Sequence, residues 1–379
     1  MSSIYFHIPF CKQACHYCDF HFSTNTRKKS EMVEALGMEL RLRKEELGGE
    51  AIQSIYFGGG TPSLLEVEDV EFLIGEVYEN FQVNAAPEIT LEANPDDLSE
   101  EKTVALAASR INRLSLGVQS FFEEDLRMMN RAHSAVEATR CLELVQMHFE
   151  NLSIDLIYGI PEMSLERWES NINKALSFGI PHISAYALTV EPKTALAKFI
   201  EKGLIEAVDE TSSQEHFELM VEKLEAEGFV HYEISNFGKP GFFSQNNSAY
   251  WQGKKYLGIG PSAHSYDGAK RSWSVRNNHK YLKSISNREL PLEREELSIK
   301  DLYNEYVMTG LRTIWGVSTA KVQEEYGTQY ARYLRHQAQK FVEEGFLQWN
   351  EDILKATARG KFLIDGIAAD LFILNLEAN

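Results

Sequence analysis

Six short runs of β-forming residues alternate with longer amphipathic stretches through the first half of this 379-residue chain, and this alternation restricts the fold more than any other feature. Such alternation predicts parallel βαβ units. Because βαβ crossovers are right-handed, the strands should curl into an open arc or a barrel. The predicted strands are Ile4–Ile8, Ser54–Phe57, Glu88–Glu92, Arg113–Val118, Ser153–Ile157 and His182–Leu188. The predicted helices include Lys28–Glu46, Val67–Asn80, Ser99–Ser109, Ala135–Phe149 and Leu165–Phe178.

Polar or glycine-rich segments lie at or near the ends of these runs. A cysteine-rich loop follows the first strand, and Gly58–Pro62 follows the second. Glu92 and Gln119 close the third and fourth strands, and Asp155 lies in the fifth. In a (β/α) barrel the carboxyl ends of the strands form one face, where active sites are built. We therefore expect these segments to meet at one mouth.

Three of the four cysteines, Cys11, Cys15 and Cys18, have the spacing C-x3-C-x2-C. Three thiolates can hold three irons of a [4Fe-4S] cube and leave the fourth iron open for chemistry. A structural zinc ion is the alternative, with His7, His16 or His21 as a fourth ligand. A disulfide is less favoured because no secretion signal is visible. The fourth cysteine, Cys141, lies in an amphipathic helical pattern that is typical of a packing residue.

Composition excludes some classes of function. The formal net charge is −18, and a broad nucleic-acid interface needs clustered Lys and Arg, so we expect no nucleic-acid partner. No apolar run reaches the 18 residues that suggest a membrane span. The first residues show no basic and apolar leader pattern, and an oxygen-labile cluster suits a reducing compartment, so we expect a cytoplasmic protein.

The glycine run Gly58–Gly60 is followed by Thr61 and Pro62. Glycines let the backbone approach a ligand where a Cβ would collide. The run lacks the ending of a P-loop and the spacing of a dinucleotide fingerprint. A tight strand-to-helix turn is the alternative interpretation, and each polar residue at a strand end could likewise be structural.

The motifs IYFHIPFC, CDF, GGGTP, EANP, GVQSF and DLIYGIP occur in this order, and the chain resembles the HemN-like branch of the radical S-adenosylmethionine (SAM) family. The resemblance implies a partial (β/α)6 barrel with cluster ligation by the three clustered cysteines. It also implies SAM bound at the open iron and cleaved to a 5′-deoxyadenosyl radical. The SAM contacts that it implies are Tyr5, Gly59, Gly60, Thr61, Glu92, Gln119, Arg131 and Asp155.

Two functions occur within that branch. Oxygen-independent coproporphyrinogen III dehydrogenases have a further cysteine two residues after the third ligand, where this chain has Phe20. They also have a longer N-terminal arm. Both departures resemble HemW, the haem chaperones of the branch. That resemblance implies haem as cargo, haem-accepting proteins such as respiratory enzymes as partners, and an electron donor. Transient docking at a membrane face stays open, and the decarboxylating enzyme is the alternative function.

HemW proteins have a haem-binding motif, H-N-x-x-Y-W, which is similar to the segment from Asn246 to Trp251. Asn246 replaces the histidine, and a carboxamide is a poor iron ligand compared with imidazole. The resemblance implies haem contacts by Asn247, Tyr250 and Trp251. Core packing is the alternative for the two aromatic residues. His264 supplies a nearby imidazole, whose alternative role is structural.

The sequence suggests three parts, with boundaries at 1–230 for the partial barrel, 231–298 for a connecting region and 299–379 for a C-terminal domain. Helical patterns followed by a short strand pair outline a winged-helix-like module after residue 299. Acidic residues slightly outnumber basic ones from Lys300 onward, so a DNA-recognition helix is not expected. We expect instead a lid or docking surface over the barrel mouth.

Overall fold

The computed structural model describes residues 1–374, and its main element is a twelve-stranded sheet. Six consecutive parallel strands form the centre of this sheet, as the sequence predicts. β3 begins at Val83, earlier than the predicted Glu88. Its first residues lie at an exposed end and lack the alternating pattern, so the sequence did not indicate that they belong to the strand. The six strands are β1 (Ser2–Ile8), β2 (Ile52–Gly59), β3 (Val83–Ala93), β4 (Arg113–Gln119), β5 (Leu152–Tyr158) and β6 (His182–Ala187).

Helices connect these strands and cover the outer face of the sheet. Four of the predicted helices end earlier than expected, two of them by a full turn, at Leu42 and Val145. Cys141 is 4% exposed within the core, which confirms its predicted packing role. The helices are α1 (Lys29–Leu42), α2 (Val67–Asn80), α3 (Glu100–Ala107), α4 (Glu123–Met128), α5 (Ala135–Val145), α6 (Leu165–Ser177), α7 (Ala195–Glu201) and α8 (Glu210–Ala226).

The two faces of the six parallel strands differ in chemistry. In β1, Ile4 and Phe6 belong to the apolar core, and the intervening Tyr5 lines a cavity on the opposite face. Because side chains alternate along a strand, the same rule applies to each neighbour. Parallel sheets usually bury apolar side chains on both faces. Here hydroxyl, carboxyl and imidazole groups lie on the inner face, including those of Ser54, Glu92, Ser115, Asp155 and His182.

The sheet continues on both sides of the six parallel strands, in a region that sequence patterns leave unassigned. One edge gains two strands beyond β6, and the other gains four beyond β1. Strands from both sides of residue 230 belong to this one sheet. The domain boundary predicted at that residue stays a prediction. The added elements are β7 (Val230–Glu233), β8 (Asn236–Gly238), α9 (Gln245–Trp251), β9 (Tyr256–Ile259), β10 (His264–Tyr266), β11 (Lys270–Ser274), α10 (Asn278–Ser286) and β12 (Leu292–Glu296).

A second apolar core begins at Tyr303 and includes Ile373, separate from the core of the large sheet. Its helices and three-stranded sheet, in the order β13-β15-β14, match the predicted winged-helix-like outline. The last five residues of the predicted domain lie outside the described residues. The elements are α11 (Ile299–Leu311), β13 (Val317–Ser318), α12 (Thr319–Glu325), α13 (Thr328–Glu343), β14 (Leu347–Asn350), β15 (Ile353–Ala356), α14 (Ala358–Lys361) and α15 (Ile364–Asp370).

The C-terminal unit contacts the large sheet near both of its ends, at β7 on one edge and at β11 beside the other edge. The amide of Ile314 donates to the carbonyl of Tyr232 at 3.0 Å, and Lys361 Nζ donates to His231 Nδ1 at 2.9 Å. Arg271 of β11 forms an ion pair with Glu305 of α11 at 2.8 Å. Within residues 1–374, every helix is too short or too polar to cross a bilayer.

Candidate functional site

The three clustered cysteines lie in the loop that follows β1, at the carboxyl end of that strand. All three are partly exposed free thiols. The amide of Cys11 donates to the carbonyl of Ser23 at 3.1 Å, which ties the loop back on itself. Burial raises the pKa of the Cys11 thiol and raises that of Cys18 to about 11. A metal or cluster must therefore displace a proton from these two thiols as it binds.

The three histidines considered as zinc ligands already have protein partners. His7 Nε2 donates to the carbonyl of His21 at 2.8 Å, and His16 Nδ1 donates to that of Met128 at 2.8 Å. His21 Nε2 lies 2.6 Å from Asn278 Oδ1. In residues 1–374, no three His, Cys, Asp or Glu side chains surround one ion position. A [4Fe-4S] cube has no such requirement, because each thiolate binds a different iron.

A chain of hydrogen bonds joins the cysteine loop to predicted SAM contacts. Arg131 donates through one nitrogen to Cys15 Sγ at 3.4 Å and through another to Asn94 Oδ1 at 2.6 Å. It also donates to the carbonyl of Gly117 at 2.8 Å. Asn94 Nδ2 donates in turn to Thr61 Oγ1 at 3.3 Å. The structure thus brings Thr61 and Arg131 beside the cysteines, and the linking residue, Asn94, is one that sequence reasoning missed.

The glycines after β2 pack directly against the strand and loop that precede the cysteines. A Cβ added to Gly60 would lie 2.6 Å from the carbonyl oxygen of Phe10 and 2.8 Å from that of Ile8. Gly59 has φ +107°, and a Cβ there would lie 2.6 Å from the His7 ring. Close packing within the protein therefore explains both glycines before any ligand is considered. Their contact with SAM stays a prediction.

Two carboxyls are enclosed on the inner face of the sheet. Tyr56 Oη donates to Glu92 Oε1 at 2.8 Å, and Ser115 Oγ donates to Asp155 Oδ1 at 3.1 Å. Burial raises the pKa of Glu92 to about 7 and that of Asp155 to about 6, and the charge of Asp155 adds to the first shift. Carboxyls with such pKa values are poised to change protonation when a ligand supplies donors.

Gln119 ends β4 in the left-handed region, with φ +68°, and is buried. A non-glycine residue in that region is strained, and such strain is concentrated at functional sites. A Cβ added to Gly117 would lie 3.0 Å from Gln119 Nε2 and 3.1 Å from a terminal nitrogen of Arg131. The absence of a side chain at Gly117 thus lets two predicted SAM contacts approach each other.

A cavity of about 1000 Å³ opens over the inner face of the sheet. Tyr5, Gly59 and Glu92 line it from the strands, and Asn247, Tyr250 and Trp251 line it from α9. Residues predicted for SAM and for haem therefore face the same space, although they come from distant segments. The remaining predicted contacts, Gly60, Thr61, Gln119, Arg131 and Asp155, are not among its lining residues.

The position of α9 is fixed by a buried carboxylate at its amino end. Glu88 accepts hydrogen bonds from the amides of Gln245 and Asn246 at 3.0 and 3.2 Å, as expected for an anion at a helix N-terminus. Tyr250 is 47% exposed, and no residue of α9 is buried. The core-packing alternative for Tyr250 and Trp251 is therefore wrong. The Trp251 ring lies under the guanidinium of Arg312 at 5.0 Å.

Several residues that line the cavity were not singled out by sequence reasoning. Tyr56 and Tyr186 lie on the inner face of predicted strands, so the alternation of each strand was an available signal. Arg276 and Arg312 come from parts of the chain with no recognisable motif. Arg312 also brings the C-terminal unit to the cavity, where the sequence suggested a lid or docking surface.

Comparisons with known proteins agree with this architecture. A model of the radical SAM superfamily matches residues 5–175, and a model of the HemN C-terminal domain matches residues 297–363. The heme chaperone HemW of Bacillus subtilis is 34% identical over 367 residues, covering 96% of this chain and 97% of that protein. The heme chaperone HemW of Lactococcus lactis is 34% identical over 376 residues, covering 97% and 98%.

The chain belongs to the HemW family of radical SAM proteins. The coproporphyrinogen III oxidase HemN of Escherichia coli shares its fold, with a TM-score of 0.85 and 23% identity over 98% of this chain and 90% of that one. This likeness confirms the predicted α/β class, with a partial radical SAM barrel and a C-terminal helical domain.

Membership of the radical SAM superfamily implies a [4Fe-4S] cluster and SAM, and the residues present fit them. Three free thiols adjoin a buried network in which Arg131 Nε has no partner among residues 1–374. Cys11, Cys15 and Cys18 would hold the cluster. A three-cysteine cluster supplies single electrons and an open iron. Glu92 and Asp155 would accept hydrogen bonds from SAM, and Arg131 would hold Cys15 and Asn94 in place.

Proposed function

We propose that this HemW-family protein binds haem in the cavity and delivers it to haem-accepting proteins. The observation that carries the proposal is the wall of partly exposed aromatic side chains on α9, facing a cavity large enough for a cofactor-sized ligand. Exposed aromatic rings offer flat apolar area for a porphyrin face. The full-length similarity to proteins named heme chaperone HemW supports the same cargo.

Phe20 supports a cargo role over porphyrinogen chemistry. It follows the third cysteine, is 68% exposed and lines the cavity, where the related dehydrogenases would place a thiol. A phenyl group offers apolar contact but cannot donate a proton or an electron to a substrate. Coproporphyrinogen dehydrogenase activity remains the competing function, and the experiment below measures it on the same sample as haem binding.

The cavity also bears positive charge suited to a porphyrin with carboxylate side chains. Arg271, Arg276 and Arg312 line it from three different segments. Arg271 and Arg312 have carboxylate partners, Glu305 and Asp365, whereas Arg276 donates to a backbone carbonyl and forms no ion pair within residues 1–374. Arg276 is thus the guanidinium among these three whose charge is available to an incoming carboxylate.

The partners that complete this function are an electron donor for the cluster and an acceptor such as a respiratory enzyme. We place the exchange in the cytoplasm, because an iron–sulfur cluster with an open iron suits a reducing compartment. Nucleic acid is not proposed as a partner, in keeping with the net charge of −18. If the acceptor lies in a membrane, this protein would dock only transiently at the membrane face to deliver haem.

The test uses anaerobically reconstituted protein, on which haem binding and coproporphyrinogen conversion are both measured. We expect a saturable change in the haem absorption spectrum, transfer of haem to an apo-acceptor, and no conversion. Trp251→Ala should weaken haem binding, because removal of the indole costs on the order of 1 kcal/mol of contact energy. Conversion without haem binding would establish the competing function.

A matched control is available in the C-terminal unit. Trp349 also lies under an arginine, Arg335, at 5.0 Å, but does not line the cavity. Trp349→Ala should leave the haem dissociation constant unchanged. Equal losses in the Trp251 and Trp349 variants would mean that haem binds outside the proposed cavity or that both variants are unstable.

A further inference from the structure

Three histidines line the cavity, and they differ in what their ring nitrogens contact. His7 is 6% exposed and is bonded through Nε2 to the carbonyl of His21 at 2.8 Å, with Nδ1 3.4 Å from Tyr5 Oη. His21 Nε2 lies 2.6 Å from Asn278 Oδ1. The third, His264, is exposed, and its ring makes no hydrogen bond within residues 1–374. His264 is therefore the cavity imidazole available to an incoming ligand.

The strand register fixes the face on which His264 lies. In the antiparallel pair β10–β11, His264 is opposite Trp273 and Tyr266 is opposite Arg271. Residues two apart in a strand share a face, so these four side chains lie together on one side. The His264 and Trp273 rings are stacked, with centroids 6.0 Å apart and planes at 29°. The stacking holds the imidazole to a limited set of orientations.

The surroundings of His264 favour the neutral imidazole, the form that binds metals. Partial burial lowers the pKa of His264, and the positive charge of Arg271 lowers it further. The guanidinium of Arg276, which forms no ion pair within residues 1–374, would attract a carboxylate of a porphyrin. An iron ligand and a carboxylate-binding group thus both line the cavity.

The other candidate at the cavity, Asn246, is less suited to iron. Its carboxamide is a weaker iron ligand than imidazole, and its Oδ1 accepts a hydrogen bond from Ser54 Oγ at 3.4 Å. Its backbone amide is engaged by Glu88 at 3.2 Å, which fixes Asn246 at the start of α9. Asn246 is therefore suited to the edge of a porphyrin rather than to its metal.

We infer that His264 ligates the iron of the haem that this protein binds. The inference rests on the proposed haem-binding function and adds to it the residue that holds the metal. Iron coordination through a histidine on the β10–β11 pair would seat the porphyrin between that pair and α9, with Tyr250 and Trp251 on its other side.

The test compares ferric-haem complexes of the parent, His264→Ala and His264→Met by absorption and electron paramagnetic resonance. His264→Ala should lose the imidazole-ligated spectrum and bind haem at least tenfold more weakly, and added imidazole should restore the spectrum. His264→Met should give a thioether-ligated spectrum instead, which a merely structural role of His264 would not produce. His336→Ala, at an exposed histidine of α13 remote from the lining residues, is the matched control.

Circular dichroism and thermal melting of each variant separate misfolding from loss of a ligand. An unchanged parent-like spectrum in folded His264→Ala would overturn the assignment of His264 while leaving the cavity proposal standing. Failure of the parent to bind haem would overturn both. The two proposals are thus distinguished by whether binding or only coordination is lost.

Discussion

The two walls of the cavity differ in how far their polar groups are satisfied within the protein. On the strand wall, Glu92 is partly buried and hydrogen-bonded to Tyr56. On the opposite wall, which runs from α9 to β11, Tyr250 is 47% exposed and His264 has no ring hydrogen bond within residues 1–374. The side chains of the strand wall are held by hydrogen bonds within the protein before any ligand binds. Tyr250 and His264 of the α9–β11 wall are exposed and lack hydrogen-bond partners within residues 1–374.

This difference suits a protein that keeps one set of ligands and passes on another. Pre-organised buried groups hold a ligand in one geometry, since little reorganisation is needed on binding. Partly exposed aromatic groups can bind a flat molecule without enclosing it, and so permit its release. We therefore propose that the resident cofactors bind at the strand wall and the cargo at the α9–β11 wall, and the predictions below test that division.

The largest effect is expected from the cysteine loop. Cys15→Ala should remove most of the iron from reconstituted protein, because the loop supplies only three thiolates and the cluster needs all three as ligands. Cys11→Ala and Cys18→Ala should do the same. Iron and sulfide would be counted per chain, and charge-transfer absorption would be recorded anaerobically.

Cys141→Ala is the matched control, since Cys141 is buried in α5 away from the loop. It should retain full iron and lose only a little stability, because a buried methyl-sized group is removed. Full iron in Cys15→Ala, or loss of iron in Cys141→Ala, would contradict the assignment of the cluster to this loop.

The sequence predicts the strand wall better than the α9–β11 wall, for a physical reason. The six parallel strands have strong period-two patterns, so Glu92 and Asp155 could be placed on one face from the alternation of side chains alone. The wall from α9 to β11 consists of short elements, and its antiparallel register decides which residues reach the cavity. Nothing in the sequence around Arg276 or His264 indicates that register.

Close approaches between backbone segments could not be predicted from the sequence either. Gly117 and the left-handed Gln119 are intelligible only when Arg131 is known to approach β4 from the loop after α4. Asn94, within the recognised EANP segment, bridges Thr61 and Arg131 but has no distinguishing spacing. Such roles arise from three-dimensional contacts between separate segments rather than from local patterns.

The second prediction concerns the buried carboxyl of the strand wall. Glu92→Gln should weaken SAM binding by about 1–3 kcal/mol, because a buried carboxylate that accepts hydrogen bonds is replaced by a neutral group. In the parent, SAM affinity should fall as the pH drops through about 7, because the ionised carboxylate accepts hydrogen bonds from the ligand more strongly than the protonated carboxyl does. Isothermal titration between about pH 6 and 8 would measure both.

The raised pKa of Glu92 also affects how the stability of the ligand-free protein changes with pH. The protonated Glu92 favours the folded state, so this contribution is present below the ordinary glutamate pKa and is lost as the pH rises through about 7. Glu39→Gln is the control, since Glu39 is also a buried glutamate with a raised pKa, caused by burial, but it contacts Arg43 and Tyr281 and does not line the cavity. It should lower stability without changing SAM affinity, and a pH-independent SAM affinity in the parent would contradict the role of Glu92.

The smallest effect is expected from adding an imidazole to α9. Asn246→His should strengthen haem binding a few-fold, because the new ring supplies a second potential iron ligand across the porphyrin from His264. The change costs little, since the Asn246 side chain makes only a long hydrogen bond, 3.4 Å, to Ser54 and the Glu88 contact uses its backbone amide. Haem titration of Asn246→His, with Asn246→Gln as a control for side-chain size, would measure the gain. Equal affinity in the parent and Asn246→His would place the iron away from α9, and a gain that persists in Asn246→His with His264→Ala would show that α9 alone can hold the metal.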